Sequence, residues 1–221
     1  MEPSILSADF LRLGEQAKQA EKAGVDALQV DIMDGRFVPN ITFGPNVVQA
    51  LRGTVRLPLD IHLMILKPER YLRTFADAGA DRLIVHQEAS EHLKRILRSI
   101  KKLKLEAGVA INPDTALRVL DDEVLDLADL IQVMTVNPGF GGQEFIRGQL
   151  VKIRQLRRVL DDRRFNIPIA VDGGINTSTA PLAVRYGASV LVAGSSIFNG
   201  KASVAQNVTA LRKSITRKGG I

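Results

Sequence analysis

Residues 59–86 read LDIHLMILKPERYLRTFADAGADRLIVH and contain the pattern of a complete β-α-β unit. Leu59–Met64 and Arg82–His86 are short runs rich in Leu, Ile and Val, as expected of parallel strands that are buried on both faces. Between them, Pro68–Ala78 has amphipathic helical spacing, with a proline at its start and Gly79 directly after its end. The stretch therefore predicts two parallel strands joined by a crossover helix.

The same alternation of apolar runs and amphipathic stretches extends over the whole chain. Eight candidate strands are Pro3–Ser7, Ala27–Ile32, Leu59–Met64, Arg82–His86, Gly108–Ile111, Leu130–Met134, Ile167–Val171 and Val190–Ala193. Candidate helices follow near Asp9–Lys22, Pro45–Leu51, Pro68–Ala78, Glu91–Lys102, Thr115–Leu120, Glu144–Leu160, Thr179–Tyr186 and Val204–Lys213. Eight β-α units in 221 residues, without a linker-like segment, predict the α/β class and a single (β/α)8 TIM barrel domain over residues 1–221. A doubly wound sheet usually needs fewer strands at this length.

The composition excludes several classes of protein. With 45% hydrophobic and 24% charged residues, the chain falls in the globular range rather than the disordered or collagen-like one. It has no cysteine, so a disulfide framework, a thiolate nucleophile and a cysteine-based metal site are all excluded. No apolar run approaches the ~20 residues of a membrane span, and the first residues do not resemble a signal peptide. We therefore expect a cytoplasmic protein without a membrane partner.

The net charge of +6 raises the question of a nucleic-acid partner. The basic residues gather at helical spacing and at the tail, without the interleaved aromatic residues of a platform that binds single strands. They are Lys94, Arg95, Arg98, Lys101, Lys102, Lys152, Arg154, Arg157, Arg158, Arg212, Lys213, Arg217 and Lys218. This distribution favours solvated helix faces and argues against nucleic-acid binding.

Side chains along a barrel strand alternate between the interior and the helix layer, which predicts the residues that meet at one end of the barrel. In the second strand, Val30 and Ile32 suit the helix layer, so Gln29, Asp31 and Met33 are expected to face inward. The same alternation assigns four further side chains to the interior: His62, Met64, Met134 and Asp172. The active sites of this fold lie at the C-terminal ends of the strands, where these residues are found.

Asp31 and Asp172 end the second and seventh strands, which lie across the barrel from each other. Opposed carboxylates can remove a proton from one face of a carbon and return it on the other face, which inverts a stereocentre. Loss of a proton next to a carbonyl gives an enediolate, for which a divalent cation beside both carboxylates is the usual stabiliser. His62 is the candidate for a third metal ligand.

Glycine-rich turns follow the last three strands, at residues 139–142, 173–174 and 194–196. Successive backbone amides in such turns form an anion site, and this fold often binds phosphate after strands seven and eight. The three inward methionines predict a polarisable lid that excludes water from the site. His86 is interpreted as a buried wall residue and His92 as a surface residue.

Five ordered motifs extend over essentially the whole length. They are PSILSADF at residues 3–10, VDIMDG at 30–35 followed by FVPN, DIHLM at 60–64, NPGFGGQ at 137–143 and VDGGI at 171–175. On these motifs the chain resembles the ribulose-phosphate 3-epimerase family. The resemblance implies interconversion of D-ribulose 5-phosphate and D-xylulose 5-phosphate in carbohydrate metabolism, through an enediolate stabilised by one divalent metal ion (Zn, Fe, Mn, Co or Mg). It also implies a homo-oligomer that belongs to the pentose phosphate pathway.

Carried over by position, the resemblance implies a role for each motif residue. Asp31 and Asp172 look like the acid/base pair and metal ligands, and His62 looks like a further ligand that also contacts substrate. The implied substrate contacts are Ser4, Met33, Met64, Met134, Gly139, Phe140, Gly141, Gly142, Gly173, Gly174, Gly194 and Ser195.

One departure from the family pattern affects the metal site. The family carries histidine two residues before the second-strand aspartate, where this chain has Gln29. An amide oxygen is a weaker donor than imidazole toward zinc or iron and suits harder cations better. We therefore expect reduced affinity for transition metals or an altered choice of metal. Family members also usually have a few more residues before the first strand, which leaves the length of that strand open.

Three readings other than a ribulose-phosphate epimerase stay open at this point. The chain could be a catalytically weak or silent relative that binds sugar phosphate. This hypothesis stays open because Gln29 stands in place of a metal-ligand histidine. It could act on a six-carbon ketose phosphate such as allulose 6-phosphate, because the sequence does not separate five carbons from six. A basic nucleic-acid binder is the most distant reading.

Overall fold

The computed structural model describes residues 1–216, which form eight strands and eight helices in alternation. The strands are β1 Glu2–Pro3, β2 Leu28–Met33, β3 Leu59–Met64, β4 Arg82–His86, β5 Glu106–Ile111, β6 Leu130–Met134, β7 Ile169–Asp172 and β8 Val190–Ala193. The helices are α1 Leu13–Lys22, α2 Pro45–Arg52, α3 Leu72–Ala78, α4 Leu93–Lys102, α5 Asp122–Leu127, α6 Gln149–Asp162, α7 Ala180–Arg185 and α8 Val204–Thr216.

The eight strands form one parallel sheet that curves into a nearly closed barrel. Each strand from β2 to β7 pairs with the next one along the chain, and β8 pairs with β1. The seam between β1 and β2 is bridged by the backbones of Ser4 and Gln29. The predicted (β/α)8 TIM barrel is therefore confirmed, whereas the assignment of one domain to all of residues 1–221 stays a prediction.

The predicted first strand, Pro3–Ser7, is wrong over most of its length. The pairing with β8 ends at Pro3, and Ile5–Ser7 form a 3₁₀ helix. The Ser4 hydroxyl accepts a hydrogen bond from the Leu6 amide at 3.3 Å, which satisfies a donor at the start of this helix. A serine that caps the chain locally thus ends a strand whose apolar residues alone would have continued it.

The predicted fifth helix, Thr115–Leu120, is also wrong. Leu117–Val119 form a single 3₁₀ turn, and α5 begins at Asp122 instead. The Asp121 carboxylate accepts a hydrogen bond from the Val124 amide at 3.0 Å, which is the N-cap contact that starts an α-helix. The acidic residues that follow Asp121 in the first turn also favour this start, because they face the positive end of the helix dipole.

The strands pack against apolar side chains on both faces of the sheet. Side chains such as Val30 and Ile32 belong to the large core between the sheet and the helices. A smaller cluster fills the inside of the barrel with Ile84, Ala110, Leu130 and Ala170, packed against Val190. The alternation along the strands therefore runs as predicted.

A buried charged cluster lies at the opposite, N-terminal end of the strands. The Arg82 guanidinium pairs with Asp60, with the half-exposed Glu106, and at 3.6 Å with Glu2. Glu2 and Asp60 are 5% and 1% exposed, so the guanidinium faces two carboxyl groups that water hardly reaches. This cluster fixes the start of β1, β3 and β4.

Many basic side chains on the helices or directly after them pair with carboxylates. Examples are Lys94 with Asp121, Lys101 with Asp129, Arg157 with Asp161 and Arg163 with Asp122. Arg217 and Lys218 of the predicted basic tail lie outside the described residues. In the part of the chain that the structure describes, no helix has the length and apolarity that a membrane crossing requires.

Candidate active site

Three potential metal ligands converge at the C-terminal ends of β2, β3 and β7. His62 Nδ1 lies 3.0 Å from Asp31 Oδ1 and 3.4 Å from Asp172 Oδ2. One donor atom from each of the three residues lies within 4.8 Å of the other two. The structure thus brings together the three residues that the alternation along the strands placed inward, and the group could hold a divalent ion.

Two buried glutamine side chains donate hydrogen bonds to the same carboxylates. Gln29 Nε2 donates to Asp31 Oδ1 and to Asp172 Oδ2, each at 2.8 Å. Gln132 Nε2 donates to Asp172 Oδ2 at 3.0 Å. Sequence reasoning missed Gln132, although a glutamine two residues before the inward Met134 is a signal that could have found it. The two amides hold opposed carboxylates close together, where their charges would otherwise repel.

His86 also belongs to this group, which the interpretation of it as a wall residue did not include. Its Nε2 lies 2.8 Å from His62 Nε2, and its Nδ1 lies 3.2 Å from Glu88 Oε2. Both histidines are fully buried, whereas His92 is exposed as expected. A continuous series of polar contacts therefore runs from Asp31 through His62 and His86 to Glu88.

Burial and charge shift the pKa values in this series in opposite directions. Burial lowers the pKa of His62, but its bonds to Asp172 and Asp31 outweigh burial and raise this pKa to about 9. The pKa of His86 falls to about 4, chiefly because burial disfavours its charged form. Burial, together with the charge of Asp31, raises the pKa of Asp172. For Glu88, hydrogen bonds from His86 and Thr115 outweigh burial and lower the pKa to about 2.

The donor set fits a divalent metal ion. Two carboxylate oxygens and one imidazole nitrogen are ligands that divalent ions accept, and both carboxylates are nearly buried. Gln29 Oε1 is buried and has no hydrogen-bond partner among the described residues. An amide whose oxygen lacks a donor can turn that oxygen toward a cation at the cost of its bonds to the carboxylates.

A cavity opens above these residues. Its lining includes Ser4, Asp31, Met33, Met64, Met134, Gly139, Phe140, Gly141, Gly142, Asp172, Gly173, Gly174, Gly194 and Ser195. His62 and Gln29 are fully buried beneath this cavity and do not line it. Sequence reasoning missed Ser7, Val136 and Gln143, which come from the same loops and also line the cavity.

The turn after β7 needs both of its glycines. Gly173 has φ +117°, and a Cβ there would lie 2.4 Å from the side chain of Val136. Gly174 has φ +65°, and its Cβ would lie 2.5 Å from the backbone nitrogen of Phe145. The absence of side chains thus lets the loop after β6 pack directly on this turn.

Two threonines hold the strand ends that carry the carboxylates. The Thr42 hydroxyl donates to the Asp31 carbonyl at 2.5 Å and accepts from the Met33 amide at 3.0 Å. The Thr135 hydroxyl donates to the carbonyls of Asp172 and Gly173, at 2.9 Å and 2.6 Å. The backbones of Asp31 and Asp172 are therefore fixed by hydrogen bonds from neighbouring segments.

The model of the ribulose-phosphate 3 epimerase family matches residues 1–198. The chain belongs to this family. The resemblance drawn from the five motifs is thereby confirmed.

Curated relatives match most of the chain. Ribulose-phosphate 3-epimerase of Bacillus subtilis (strain 168) is 52% identical over 197 residues, which cover 89% of this chain and 90% of that protein. The Synechocystis enzyme of the same name is 50% identical and covers 96% of this chain and 92% of its own. A chloroplastic ribulose-5-phosphate-3-epimerase of Arabidopsis thaliana is 51% identical over 90% of this chain and 71% of that protein.

More distant solved structures share the fold alone. A 3-hexulose-6-phosphate synthase has a TM-score of 0.71 at 20% identity and covers 97% of this chain and 98% of its own. A 3-keto-L-gulonate-6-phosphate decarboxylase from Vibrio cholerae has a TM-score of 0.72 at 18% identity, over 98% of this chain and 97% of its own.

Proposed function

We propose that this chain interconverts D-ribulose 5-phosphate and D-xylulose 5-phosphate by moving one proton at C3. The observation that carries the proposal is the pair Asp31 and Asp172, which line one cavity in a chain of the ribulose-phosphate 3-epimerase family. The curated relatives with this name support the isomerase class and the substrate. Nothing in the comparisons favours a silent relative or a six-carbon substrate.

The hydrogen-bond pattern favours different protonation states for the two carboxylates before the reaction. Both oxygens of Asp31 accept hydrogen bonds, Oδ1 from Gln29 and Oδ2 from Ser4 at 2.5 Å. Asp172 receives its donors on Oδ2, and no described residue donates to its Oδ1. The raised pKa of Asp172 suits it to hold a proton on this oxygen, while Asp31 acts as the base in the same direction of reaction. In the reverse direction the roles exchange.

The C3 proton leaves to one carboxylate and a proton returns from the other on the opposite face, which inverts C3. Asp31, His62 and Asp172 would hold a divalent ion, with Gln29 Oε1 as a candidate for a fourth donor after the amide turns. When bound, this ion supplies positive charge that stabilises the developing enediolate oxygens. Met33 and Met64 pack together beside the carboxylates and would exclude water from the intermediate.

The glycine-rich turns at residues 139–142, 173–174 and 194–195 are proposed to bind the substrate and its phosphate. The glycines of these turns bring the backbone to the cavity without side chains, so their amides are available to an anion. Ser4 is proposed as a further substrate contact, because its hydroxyl already bonds Asp31 at the cavity wall. The homo-oligomer, the cytoplasmic location and the absence of a nucleic-acid partner stay predictions.

A coupled assay tests this function directly. Purified protein is expected to convert ribulose 5-phosphate to xylulose 5-phosphate, to lose activity with a chelator and to regain it with added divalent ions. An Asp172→Asn preparation made in the same host measures any contaminating epimerase. Allulose 6-phosphate, assayed in parallel, distinguishes a six-carbon enzyme. The proposal would be refuted if, with each divalent ion tested, the wild-type rate did not exceed the rate of the Asp172→Asn preparation.

The metal preference is expected to follow from Gln29. Because imidazole is the stronger donor toward zinc, Gln29→His is expected to bind Zn²⁺ about tenfold more tightly or better, a gain of about 1.4 kcal/mol. Affinity for Mn²⁺ should change less. Competition with a chelator measures both constants, and Gln49→His on the exposed face of α2 controls for the added histidine. Equal Zn²⁺ affinities for wild type and Gln29→His would contradict the expectation.

A further inference from the structure

A partly exposed carboxylate, that of Glu88, lies at the far end of the contacts that orient His62. Glu88 Oε2 faces His86 Nδ1 at 3.2 Å, and Glu88 Oε1 accepts hydrogen bonds from the Asn112 amide at 2.8 Å and from the Thr115 hydroxyl. Four groups are thus joined in series by hydrogen bonds: His62 on β3, His86 on β4, Glu88 after β4 and the amide of Asn112 after β5. Glu88 itself does not line the cavity, so any effect on the reaction must pass through the two histidines.

The chemistry of these groups fixes the direction of each hydrogen bond. An ionised carboxylate only accepts, so His86 Nδ1 must carry the hydrogen that faces Glu88. In neutral His86 the other nitrogen, Nε2, is then the acceptor. Because it lies 2.8 Å from His62 Nε2, the shared hydrogen must belong to His62. His62 therefore keeps a hydrogen on Nε2. Its Nδ1, which donates a second hydrogen to the Asp31 carboxylate at 3.0 Å, is the nitrogen that a metal ion would take once that hydrogen has left.

We propose that Glu88, acting through His86, is a positioning residue that holds His62 with its hydrogen on Nε2 and so raises the affinity of the Asp31, His62 and Asp172 group for a divalent ion. The proposal rests on the proposed function only for the use of that ion. Outer partners of this kind fix which nitrogen of a histidine is free to bind metal, and their loss typically costs about 10–100-fold in affinity.

The substitution Glu88→Gln is expected to exchange donor and acceptor in the hydrogen bonds that join residue 88, His86 and His62. The Asn112 amide still needs an acceptor, so the new amide oxygen takes the place of Oε1. The amide NH₂ then faces His86 Nδ1, which must become an acceptor and move its hydrogen to Nε2. His62 Nε2 becomes an acceptor in turn, so the only hydrogen of His62 lies on Nδ1. Nδ1 could then bind a metal ion only if a hydrogen returned to Nε2, where it would face the hydrogen of His86 Nε2.

Two measurements test the proposal. The ¹⁵N spectrum of histidine-labelled protein distinguishes protonated from lone-pair ring nitrogens, and the chain has three histidines, of which His92 is an exposed reference. His86 is expected to carry its hydrogen on Nδ1 in wild type and on Nε2 in Glu88→Gln. Chelator competition is expected to show Zn²⁺ affinity about 10–100-fold weaker in Glu88→Gln. Glu91→Gln, an exposed neighbour, should match wild type in both measurements, and Glu88→Asp should keep the wild-type form of His86.

The outcomes separate this proposal from the proposed function. A wild-type spectrum with the His86 hydrogen on Nε2 overturns the proposal even if Glu88→Gln does not fold. A Zn²⁺ affinity of Glu88→Gln equal to that of Glu91→Gln also overturns it. Neither measurement depends on turnover, so an inactive wild-type protein would refute the epimerase assignment and leave these results intact.

Discussion

Replacing Asp172 with asparagine is expected to lower kcat by about 10²–10⁴-fold while the barrel stays folded. The amide cannot carry the proton, so one face of C3 loses its acid or base. The fold should be preserved because the amide oxygen can still accept from Gln29 and Gln132, as Asp172 Oδ2 does. Steady-state kinetics measure the loss, and circular dichroism with thermal melting checks that the protein is folded.

Asp31→Asn is expected to cause a loss of similar size. Its amide oxygen can face Gln29 and His62, and its NH₂ can donate to the Ser4 hydroxyl, which then accepts. Asp122→Asn on α5, whose carboxylate pairs with Arg163 at the surface, is the matched control and should keep wild-type kcat. Near-wild-type turnover in either active-site variant would contradict the assignment of two bases.

Solvent exchange gives a sharper test of the same assignment. Each variant keeps one carboxylate, which can still remove and return a proton on its own face of C3. In D₂O, each variant is therefore expected to exchange the C3 hydrogen of one epimer without inverting it, and the two variants should act on opposite epimers. Proton NMR follows the loss of the C3 signal. Exchange of the same epimer by both variants would show that the carboxylates do not face opposite sides of C3.

The sequence predicted the strands best where burial alone defines them. The predicted bounds of β3, β4, β6 and β8 match the structure, because buried Leu, Ile and Val residues define these strands, and β4, β6 and β8 also end at or just before polar or small residues. The strand predicted at Pro3–Ser7 and the helix predicted at Thr115–Leu120 failed because side-chain caps decided the local structure. The hydroxyl of Ser4 and the carboxylate of Asp121 each bond a nearby backbone amide, and apolar periodicity does not record such contacts.

The site was predictable as far as the alternation along strands extends. Asp31, His62 and Asp172 lie on inward positions at strand ends, so their convergence follows from the fold. The partners of these groups do not follow from it. The bonds from Gln132 to Asp172 and from His86 to His62 join different strands, and they depend on the register and tilt of the barrel. A buried histidine in sequence alone is equally compatible with an apolar wall.

Stability is expected to fall as the pH rises from 4.5 to about 8, because Glu2 is buried beside Asp60 at the start of the barrel. Burial, with the charge of Asp60 added, raises the pKa of Glu2 from 4.5 to about 8, although Arg82 and the N-terminal ammonium oppose this. In this pH range the folded protein therefore binds a proton that the unfolded chain has released. Each unit of pKa difference corresponds to about 1.4 kcal/mol of the free energy of unfolding.

Glu2→Gln is expected to remove most of this pH dependence. Glu2 Oε2 has no donor facing it among the described residues, and the protonated form donates its hydrogen toward Asp60. A glutamine NH₂ can make that contact at every pH and never has to ionise in a buried position. The variant should match wild type near pH 4.5 and exceed its free energy of unfolding by several kcal/mol above pH 8.

Denaturant unfolding at pH 4.5, 6.5 and 8.5 measures the difference. Glu69→Gln, an exposed carboxylate before α3, controls for the loss of one negative charge and should parallel wild type. Asp60 and Arg82 remain in the variant, as do the active-site groups with shifted pKa values, so the difference between the wild-type and Glu2→Gln curves measures the contribution of Glu2 alone. If Glu2→Gln follows the wild-type curve from pH 4.5 to 8.5, then Glu2 ionises in the fold as readily as in the unfolded chain. Arg82 would in that case compensate both carboxylates rather than Asp60 alone.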